Sequence, residues 1–261
     1  MALVSTLVQP SELFAATARA DPDLVILDVT QLLDRKTNTV SPDRQRFESR
    51  RIPGSTFVDV GTRLAEPAVM NLRGDVLHNM LPSAARFAEE MRTLGINDAS
   101  HVVLYSSRHV MWATRVWWMM HTSGFCGRLS VLDGGLDAWI AAGLQVESGP
   151  SAPASPASLP AEEPLPTRAW RPGAFVGAPR VLAAIDEPAT LVIDTLKPAS
   201  FAGTKASRYG RRGHIASAVN VPYPEVVCPD TGRFYEGGRI RDVLGAAGVA
   251  LGSPAQPIVL Y

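Results

Sequence analysis

Residues 102–105 of this chain are Val-Val-Leu-Tyr, and residues 258–261 are Ile-Val-Leu-Tyr. Each stretch is an unbroken apolar run closed by tyrosine, which is typical of a parallel strand covered by helices on both faces. Two such similar stretches, so far apart in the chain, indicate that one structural unit occurs twice. The fold class predicted from them is α/β, in two tandem copies.

Further landmarks precede each stretch in the same order. Both copies open with a short apolar strand that ends in aspartate, followed by a turn, a second strand and an amphipathic helix with apolar residues at i, i+3, i+4 and i+7. The first copy has these landmarks at 24–28, 50–55, 57–60 and 84–91, and the second has them at 191–194, 213–218, 219–222 and 240–247. Each copy is therefore predicted to be a central parallel sheet flanked by helices.

The two copies differ after the repeated tyrosine. The first continues through a loop at 106–109, a helix at about 110–121, a strand at 129–132 and a turn, Asp133-Gly134-Gly135, into a helix that contains Trp139. The second has no such continuation and is predicted to be incomplete. A segment rich in Pro, Ala and Ser is predicted to link the copies. The domains are placed at 1–147 and 170–261, with the linker at 148–169.

Composition excludes several classes of partner and site. The 25 acidic and 25 basic side chains cancel, so no overall field attracts nucleic acid or an anionic membrane. The two cysteines, Cys126 and Cys228, cannot build a disulfide framework or a structural zinc site, and no Gly-rich phosphate loop occurs. We expect a soluble, cytoplasmic, monomeric protein without a cofactor, membrane or nucleic-acid partner.

The ordered landmarks resemble the two-domain rhodanese-like sulfurtransferases, which act on thiosulfate or 3-mercaptopyruvate. Five stretches carry the resemblance, and they span most of the chain. They are Leu24–Asp28, Ile52–Ser55, the helix start at Leu81–Ser83, Val131–Gly135 with Trp139, and Arg212–Ile215 leading to Asn220-Val221-Pro222. Each stretch is weak alone, and their common order makes the resemblance specific.

The resemblance implies a catalytic second domain and an inactive first copy. In this family a cysteine thiolate takes sulfur from a donor, holds it as a persulfide and passes it to a thiol or cyanide. That nucleophile is expected immediately after Tyr261, whereas Cys126 and Cys228 lie elsewhere and are interpreted as inert thiols. Ser106 is the first copy's counterpart of position 262. No base partner for it is evident in the sequence, so Ser106 is interpreted as a plain loop hydroxyl.

Donor binding is assigned to four cations of the second copy: Lys205, Arg208, Arg211 and Arg212. Any of them could hold thiosulfate or a carboxylate through charge-assisted hydrogen bonds. Family members often carry an arginine before the aromatic residue that follows the first strand of the second domain, and this chain has Ser200 before Phe201 there. His214, in the Gly-His-Ile turn, is interpreted as structural.

Several alternatives stay open at this stage. The end at Tyr261 could be a UGA codon read as selenocysteine, a nonsense or sequencing event, or the end of a fragment. The competing function is a noncatalytic rhodanese-fold module that binds an anion or a protein. A further alternative is a split enzyme completed by another polypeptide. The sulfur donor, the acceptor and the oligomeric state are not fixed by the sequence.

Overall fold

A computed structural model describes residues 5–34, 39–67, 69–70, 74, 76–150, 169–205, 211–252 and 256–261. The chain divides into two compact units, Met1–Ala174 and Phe175–Tyr261. Among the described residues, no helix is long and apolar enough to cross a membrane. Of the predicted linker, residues 151–168 lie outside the described residues.

The first unit is built around a parallel sheet. Its described strands are β1 (Leu7–Val8), β2 (Leu24–Asp28), β3 (Gln31–Asp34), β4 (Thr39–Pro42), β5 (Thr56–Phe57), β6 (Val69–Met70), β7 (Val76–Leu77), β8 (His101–Tyr105) and β9 (Arg128–Leu132). Five of them form the main sheet, in the order β1-β9-β8-β2-β5, and every pairing is parallel. The remaining four form two antiparallel hairpins, β3-β4 and β6-β7.

Helices of the first unit follow the predicted α/β alternation. They are α1 (Pro10–Thr17), α2 (Arg44–Ser49), α3 (Ala84–Thr93), α4 (Met111–Thr122) and α5 (Gly135–Ala141). Helix α3 begins where Ser83 accepts a hydrogen bond from the backbone N–H of Arg86, which satisfies one of the free donors of the first turn. Strand β8 is buried along its whole length. Apolar side chains pack on both faces of the sheet, which confirms the interpretation of residues 102–105 as a central strand.

The second unit repeats the same plan with fewer described elements. These are α6 (Ala178–Ile185), β10 (Leu191–Asp194), α7 (Pro198–Phe201), β11 (Val219–Asn220), a short 3₁₀-helix (Tyr223–Glu225), α8 (Gly237–Ala246) and β12 (Ile258–Leu260). The strands pair in parallel in the order β11-β10-β12. The α/β class with parallel sheets flanked by helices is therefore confirmed.

The second sheet is less covered than the first. Its core cluster consists of Ala184, Val192 and Val259, and Ile193, Val221 and Val227 are also buried. On β12, Ile258 is 47% exposed and Leu260 is 66% exposed, whereas every residue of the equivalent strand β8 is buried.

One difference from the sequence prediction concerns strand length. The strands predicted at 57–60 and 219–222 are each only two residues long, although the N–H groups of Val58 and Val221 still donate to the carbonyls of Asp28 and Asp194, both at 2.9 Å. The second compact unit begins at Phe175. Trp170 packs on the first unit, where its indole N–H donates to the carbonyl of Pro82 at 3.1 Å.

Candidate functional site

The carboxyl edge of the second sheet brings Asp194 and Tyr261 together. Ile193 pairs with Leu260, so the next residue on each strand lies at the same level of the sheet. The backbone N–H of Tyr261 donates to Ile193 at 3.0 Å, and the carbonyl of Tyr261 accepts from the N–H of Thr195 at 3.1 Å. The hydroxyl of Thr195 donates to the same carbonyl at 3.0 Å. These bonds fix the backbone at the end of β12.

The side chain of Tyr261 connects this edge to the turn before β11. Its hydroxyl accepts a hydrogen bond from the backbone N–H of Ile215 at 2.8 Å. Burial raises the pKa of Tyr261 above its ordinary value, and the nearby carboxylate of Asp194 raises it further. A neutral phenol keeps its own proton, so the Tyr261 hydroxyl can donate a hydrogen bond as well as accept one.

Asp194 is fully buried at the same edge. Its Oδ1 accepts from the backbone N–H of Leu196 at 2.7 Å, while Oδ2 has no hydrogen-bond partner of standard geometry among the described residues. The side-chain amide of Asn220 donates to the carbonyls of Asp194 and Leu196, at 3.0 and 2.8 Å. The backbone that leaves β10 is therefore held by the Asn220 side chain on one side and by the hydrogen bonds of Thr195 to the Tyr261 carbonyl on the other.

His214 links the same turn to helix α7. Its ring stacks on that of Phe201, with 3.7 Å between the ring centroids and 9° between the planes. Nδ1 of His214 lies 2.8 Å from the carbonyl oxygen of Phe201, so Nδ1 carries a proton and donates it there. These contacts support the interpretation of His214 as a structural residue.

The predicted donor-binding cations lie on the segment between α7 and this turn. Lys205, Arg211 and Arg212 are exposed, and Arg208 lies outside the described residues. The backbone N–H of Lys205 donates to the carbonyl of Ala199 at 3.0 Å, which folds the segment back on α7. The structure does not show the three described side chains converging on one point, and their role stays a prediction.

The first unit contains the same arrangement in a more buried form. The hydroxyl of Tyr105 accepts from the N–H of Ile52 at 3.4 Å and lies 2.9 Å from the hydroxyl of Ser55. The carbonyl of Tyr105 accepts from Val29 at 3.0 Å, as that of Tyr261 does from Thr195. Burial raises the pKa of Tyr105 well above its ordinary value, and the charge of Asp28 adds to the shift. The repeat seen in the sequence thus extends to individual hydrogen bonds.

The two units differ in how the buried aspartate is compensated. Arg46 Nη2 lies 2.8 Å from Oδ1 and 2.6 Å from Oδ2 of Asp28, and Arg46 also donates to the hydroxyl of Thr30 at 2.8 Å. Asp194 has no such ion pair with any described residue of the second unit. Arg46 therefore offsets the charge of Asp28, whereas no described cation of the second unit pairs with Asp194.

The loop after Tyr105 is closed by hydrogen bonds within the first unit. Ser106 and Ser107 are buried, and the hydroxyl of Ser106 donates to the carbonyl of His109 at 2.8 Å. The backbone N–H of Arg108 donates to Oδ2 of Asp137 at 3.2 Å. The bond from Ser106 to His109 supports the interpretation of Ser106 as a plain loop hydroxyl.

Neither cysteine lies at the end of a central strand. Cys126 is exposed on the loop before β9, and Cys228 is on a turn that comes after β11. The side chain of Thr231 and the N–H groups of Thr231 and Asp230 lower the pKa of the Cys228 thiol by hydrogen bonding. Within the described ranges, no cluster of three or more His, Cys, Asp or Glu could hold a metal ion.

Sequence reasoning identified the strand end but missed the groups that organise it. The Tyr261 hydroxyl and the Ile215 amide are 46 residues apart, and no local pattern joins them. One signal was available, since an isoleucine in a turn and a tyrosine at a strand end recur together in both copies.

Comparison with known proteins places these features in a family. A model of the rhodanese-like domain matches residues 14–142. The 3-mercaptopyruvate sulfurtransferase of Escherichia coli K12 is 34% identical over 212 residues, covering 79% of this chain and 68% of the relative. A probable 3-mercaptopyruvate sulfurtransferase of Pseudomonas aeruginosa is 28% identical over 255 residues, covering 94% of this chain and 80% of the relative.

Solved structures give the same result. The crystal structure of SseA, a 3-mercaptopyruvate sulfurtransferase from E. coli, matches with a TM-score of 0.75 and 28% identity, covering 98% of this chain and 87% of that chain. A 3-mercaptopyruvate sulfurtransferase from Leishmania major, at 21% identity and a TM-score of 0.74, shares the fold. With its duplicated sheet edges and its sequence identity to these enzymes, the chain belongs to the rhodanese-like sulfurtransferase family.

Proposed function

We propose that this protein transfers a sulfane sulfur from 3-mercaptopyruvate or thiosulfate to a thiol or to cyanide. The observation that carries the proposal is the position of Tyr261, which ends β12 with the same hydrogen bonds that Tyr105 makes at the end of β8. Relatives named 3-mercaptopyruvate sulfurtransferase support this class of reaction. They favour it over a noncatalytic binding module.

The proposed nucleophile is a cysteine or selenocysteine that directly follows Tyr261. Its counterpart in the first unit, Ser106, opens the loop that leads into helix α4. A loop at a helix N-terminus offers backbone N–H groups and the positive end of the helix dipole, and both lower the pKa of a thiol and stabilise an anionic persulfide. A selenol ionises still more readily than a thiol, which makes either atom suitable.

The proposed reaction has two displacement steps. With thiosulfate, the enzyme thiolate attacks the outer sulfur, the sulfur–sulfur bond breaks, and sulfite leaves with the electron pair. With 3-mercaptopyruvate, the carbon–sulfur bond breaks and the departing enolate takes a proton to become pyruvate. The acceptor thiolate then attacks the outer sulfur of the enzyme persulfide, which restores the enzyme thiolate.

We propose that cations of the second unit bind the donor anion. Lys205, Arg211 and Arg212 are exposed on one short segment, and Arg208 belongs to the same segment in the sequence. Guanidinium groups bind carboxylate and sulfonate oxygens in a bidentate manner, which would orient the donor sulfur. The first unit is proposed to support the fold without taking sulfur, since Asp137 already occupies an amide of its loop.

The experiment is sulfur transfer by the product that the native host makes from this gene. Release of sulfite from thiosulfate and of pyruvate from 3-mercaptopyruvate is measured with cyanide or a thiol as acceptor. We expect R211Q/R212Q to raise KM for the donor about tenfold, because each guanidinium contributes one charge-assisted contact. The matched control is R44Q, an exposed arginine of the first unit, which should leave KM unchanged.

Two outcomes would decide the proposal. Turnover with either donor, together with a donor KM that depends on the second-unit arginines, supports it. Binding of an anion or a protein without any turnover would replace it with the noncatalytic module. We further propose a monomer in the cytoplasm with only small-molecule partners, which light scattering and cell fractionation test directly.

A further inference from the structure

One hydrogen bond of the second unit joins the strand that precedes the proposed nucleophile to the turn that follows the proposed donor-binding arginines. The Tyr261 hydroxyl accepts the N–H of Ile215 at 2.8 Å. Tyr261 lies at the end of β12, directly before the position of the proposed nucleophile. Ile215 lies in the turn that comes directly after the exposed cationic residues Arg211 and Arg212. The hydroxyl therefore connects the strand of the nucleophile to the segment of the proposed donor site.

The contact continues into that segment through His214. Its ring stacks on Phe201 at 3.7 Å between centroids, and its Nδ1 donates to the carbonyl of Phe201. The backbones are also close, since a Cβ added at Gly203 would lie 3.1 Å from the N of Gly213. Displacing the turn at Ile215 would therefore disturb the contacts that His214 and Gly213 make with Phe201 and Gly203.

A second observation concerns the proton of the Tyr261 hydroxyl. Because the hydroxyl accepts from Ile215, its own proton is free to point elsewhere. The buried Oδ2 of Asp194 has no other partner among the described residues, and the Asp194 charge acts on this hydroxyl. In the first unit the Tyr105 hydroxyl also feels the charge of Asp28, but it has an additional contact with Ser55, and Arg46 neutralises that aspartate.

We propose that Tyr261 is a positioning residue for sulfur transfer, whose hydroxyl couples the strand end at Asp194 to the turn at Ile215 and so to the donor-binding segment. The inference rests on the proposed function, and it names the residue that aligns the proposed nucleophile with the proposed donor-binding residues. Misplacement of reacting groups by about 1 Å lowers the rate by up to about 100-fold, so the loss of one aligning bond is expected to cost about tenfold in kcat.

The test is Y261F in the product that the native host makes, with Y105F as the matched control. Both changes remove a hydroxyl that accepts an isoleucine N–H, but only Tyr261 lies at the proposed catalytic edge. We expect Y261F to lower kcat about tenfold, with donor KM within about twofold, because alignment acts mainly in the transition state. Y105F should keep the wild-type kcat.

Hydrogen exchange supplies a readout that does not depend on turnover. The amide of Ile215 should exchange slowly in the wild type and faster in Y261F, while the amides of β10 keep their protection. Wild-type kcat in Y261F, or a Y105F defect of equal size, would overturn the positioning role while leaving the proposed function intact. Absence of transfer in the wild type would overturn both. An Ile215 amide unchanged in Y261F would contradict the contact itself.

Discussion

Gly135→Ala is expected to destabilise the first unit through two separate effects. Gly135 begins helix α5 with φ of +57°, a left-handed conformation that costs a residue with a Cβ about 1–2 kcal/mol. A Cβ at this position would also overlap the carbonyl oxygen of Ser106 and lie 3.1 Å from its carbonyl carbon. Ser106 is buried and bonded to His109, so relieving that overlap costs about another 1–3 kcal/mol.

The matched control is Gly143→Ala in the same unit. Gly143 has φ of +71°, and a Cβ there would meet nothing within 4 Å. This variant should show only the conformational cost of about 1–2 kcal/mol. The difference between Gly135→Ala and Gly143→Ala therefore isolates the steric contact with Ser106.

Urea unfolding followed by tryptophan fluorescence measures this difference cleanly. The chain has five tryptophans, and they lie at positions 112, 117, 118, 139 and 170, all within the first unit. The signal therefore reports on that unit alone, and a two-state fit gives its free energy of unfolding. If Gly135→Ala were no less stable than Gly143→Ala, the close packing of α5 against the Ser106 loop would be refuted.

Three further predictions concern the framework of the two units. Arg46→Ala should lower the free energy of unfolding of the first unit by about 3–5 kcal/mol in the same fluorescence assay, because it leaves buried Asp28 without its cation. Burial lowers the pKa of His101, and the charge of Arg128 lowers it further. The folded state is therefore stabilised above the unfolded pKa of about 6.5, and this stability is lost as the pH falls towards the folded pKa. His101→Gln should make the loss of unfolding free energy between about pH 7 and pH 5 less steep. Ser217 has φ of +67°, so Ser217→Gly should stabilise the second unit by about 0.5 kcal/mol, measured from exchange of the β10 amides.

Matched variants separate these effects from unspecific ones. Arg44→Ala removes an exposed arginine whose contact with Glu48 is 3.9 Å long, and it should cost less than about 0.5 kcal/mol. An Arg46 effect of that small size would contradict a buried ion pair. Gly54 has φ of +72°, and no atom lies near a Cβ added there. Gly54→Ser should therefore lower the free energy of unfolding by about as much as Ser217→Gly raises it. Two variants as stable as the wild type would argue against backbone strain at either position.

The sequence correctly predicted the strands whose apolar runs lie within the parallel sheets. Strands β2, β8, β9 and β10 are apolar runs within parallel sheets, and each occurs where its pattern placed it. The hairpins β3-β4 and β6-β7 were not predicted. Leu32 and Met70 lie on these hairpins and are exposed. The hairpin sequences therefore lack the regular alternation of buried apolar and exposed polar residues that predicts a strand.

The site was predicted in position but not in detail. Aligning Tyr105 with Tyr261 located the carboxyl edge of the second sheet, because parallel strands end at the same edge. The bond from Ile215 to Tyr261 was not predictable, since it depends on the path of a turn 46 residues earlier in the chain. The ion pair of Arg46 with Asp28 was missed for the same reason, as several arginines could have reached that carboxylate.

Burial differs between the two copies, although the sequences of their central strands are alike. The apolar content of Ile258–Leu260 matches that of the buried strand β8, yet two of its three residues are exposed. A sequence pattern indicates what a strand is able to bury, whereas exposure depends on the elements that surround it.

Mass spectrometry of the native product after incubation with a sulfur donor tests the central proposal most directly. The protein is isolated from its own host, treated with 3-mercaptopyruvate or thiosulfate, and digested without reduction. We predict that the added sulfur atom is carried by the cysteine or selenocysteine directly after Tyr261, and that cyanide removes it. A native product that gains no sulfur, or gains it on Cys126 or Cys228, would contradict the proposed persulfide chemistry.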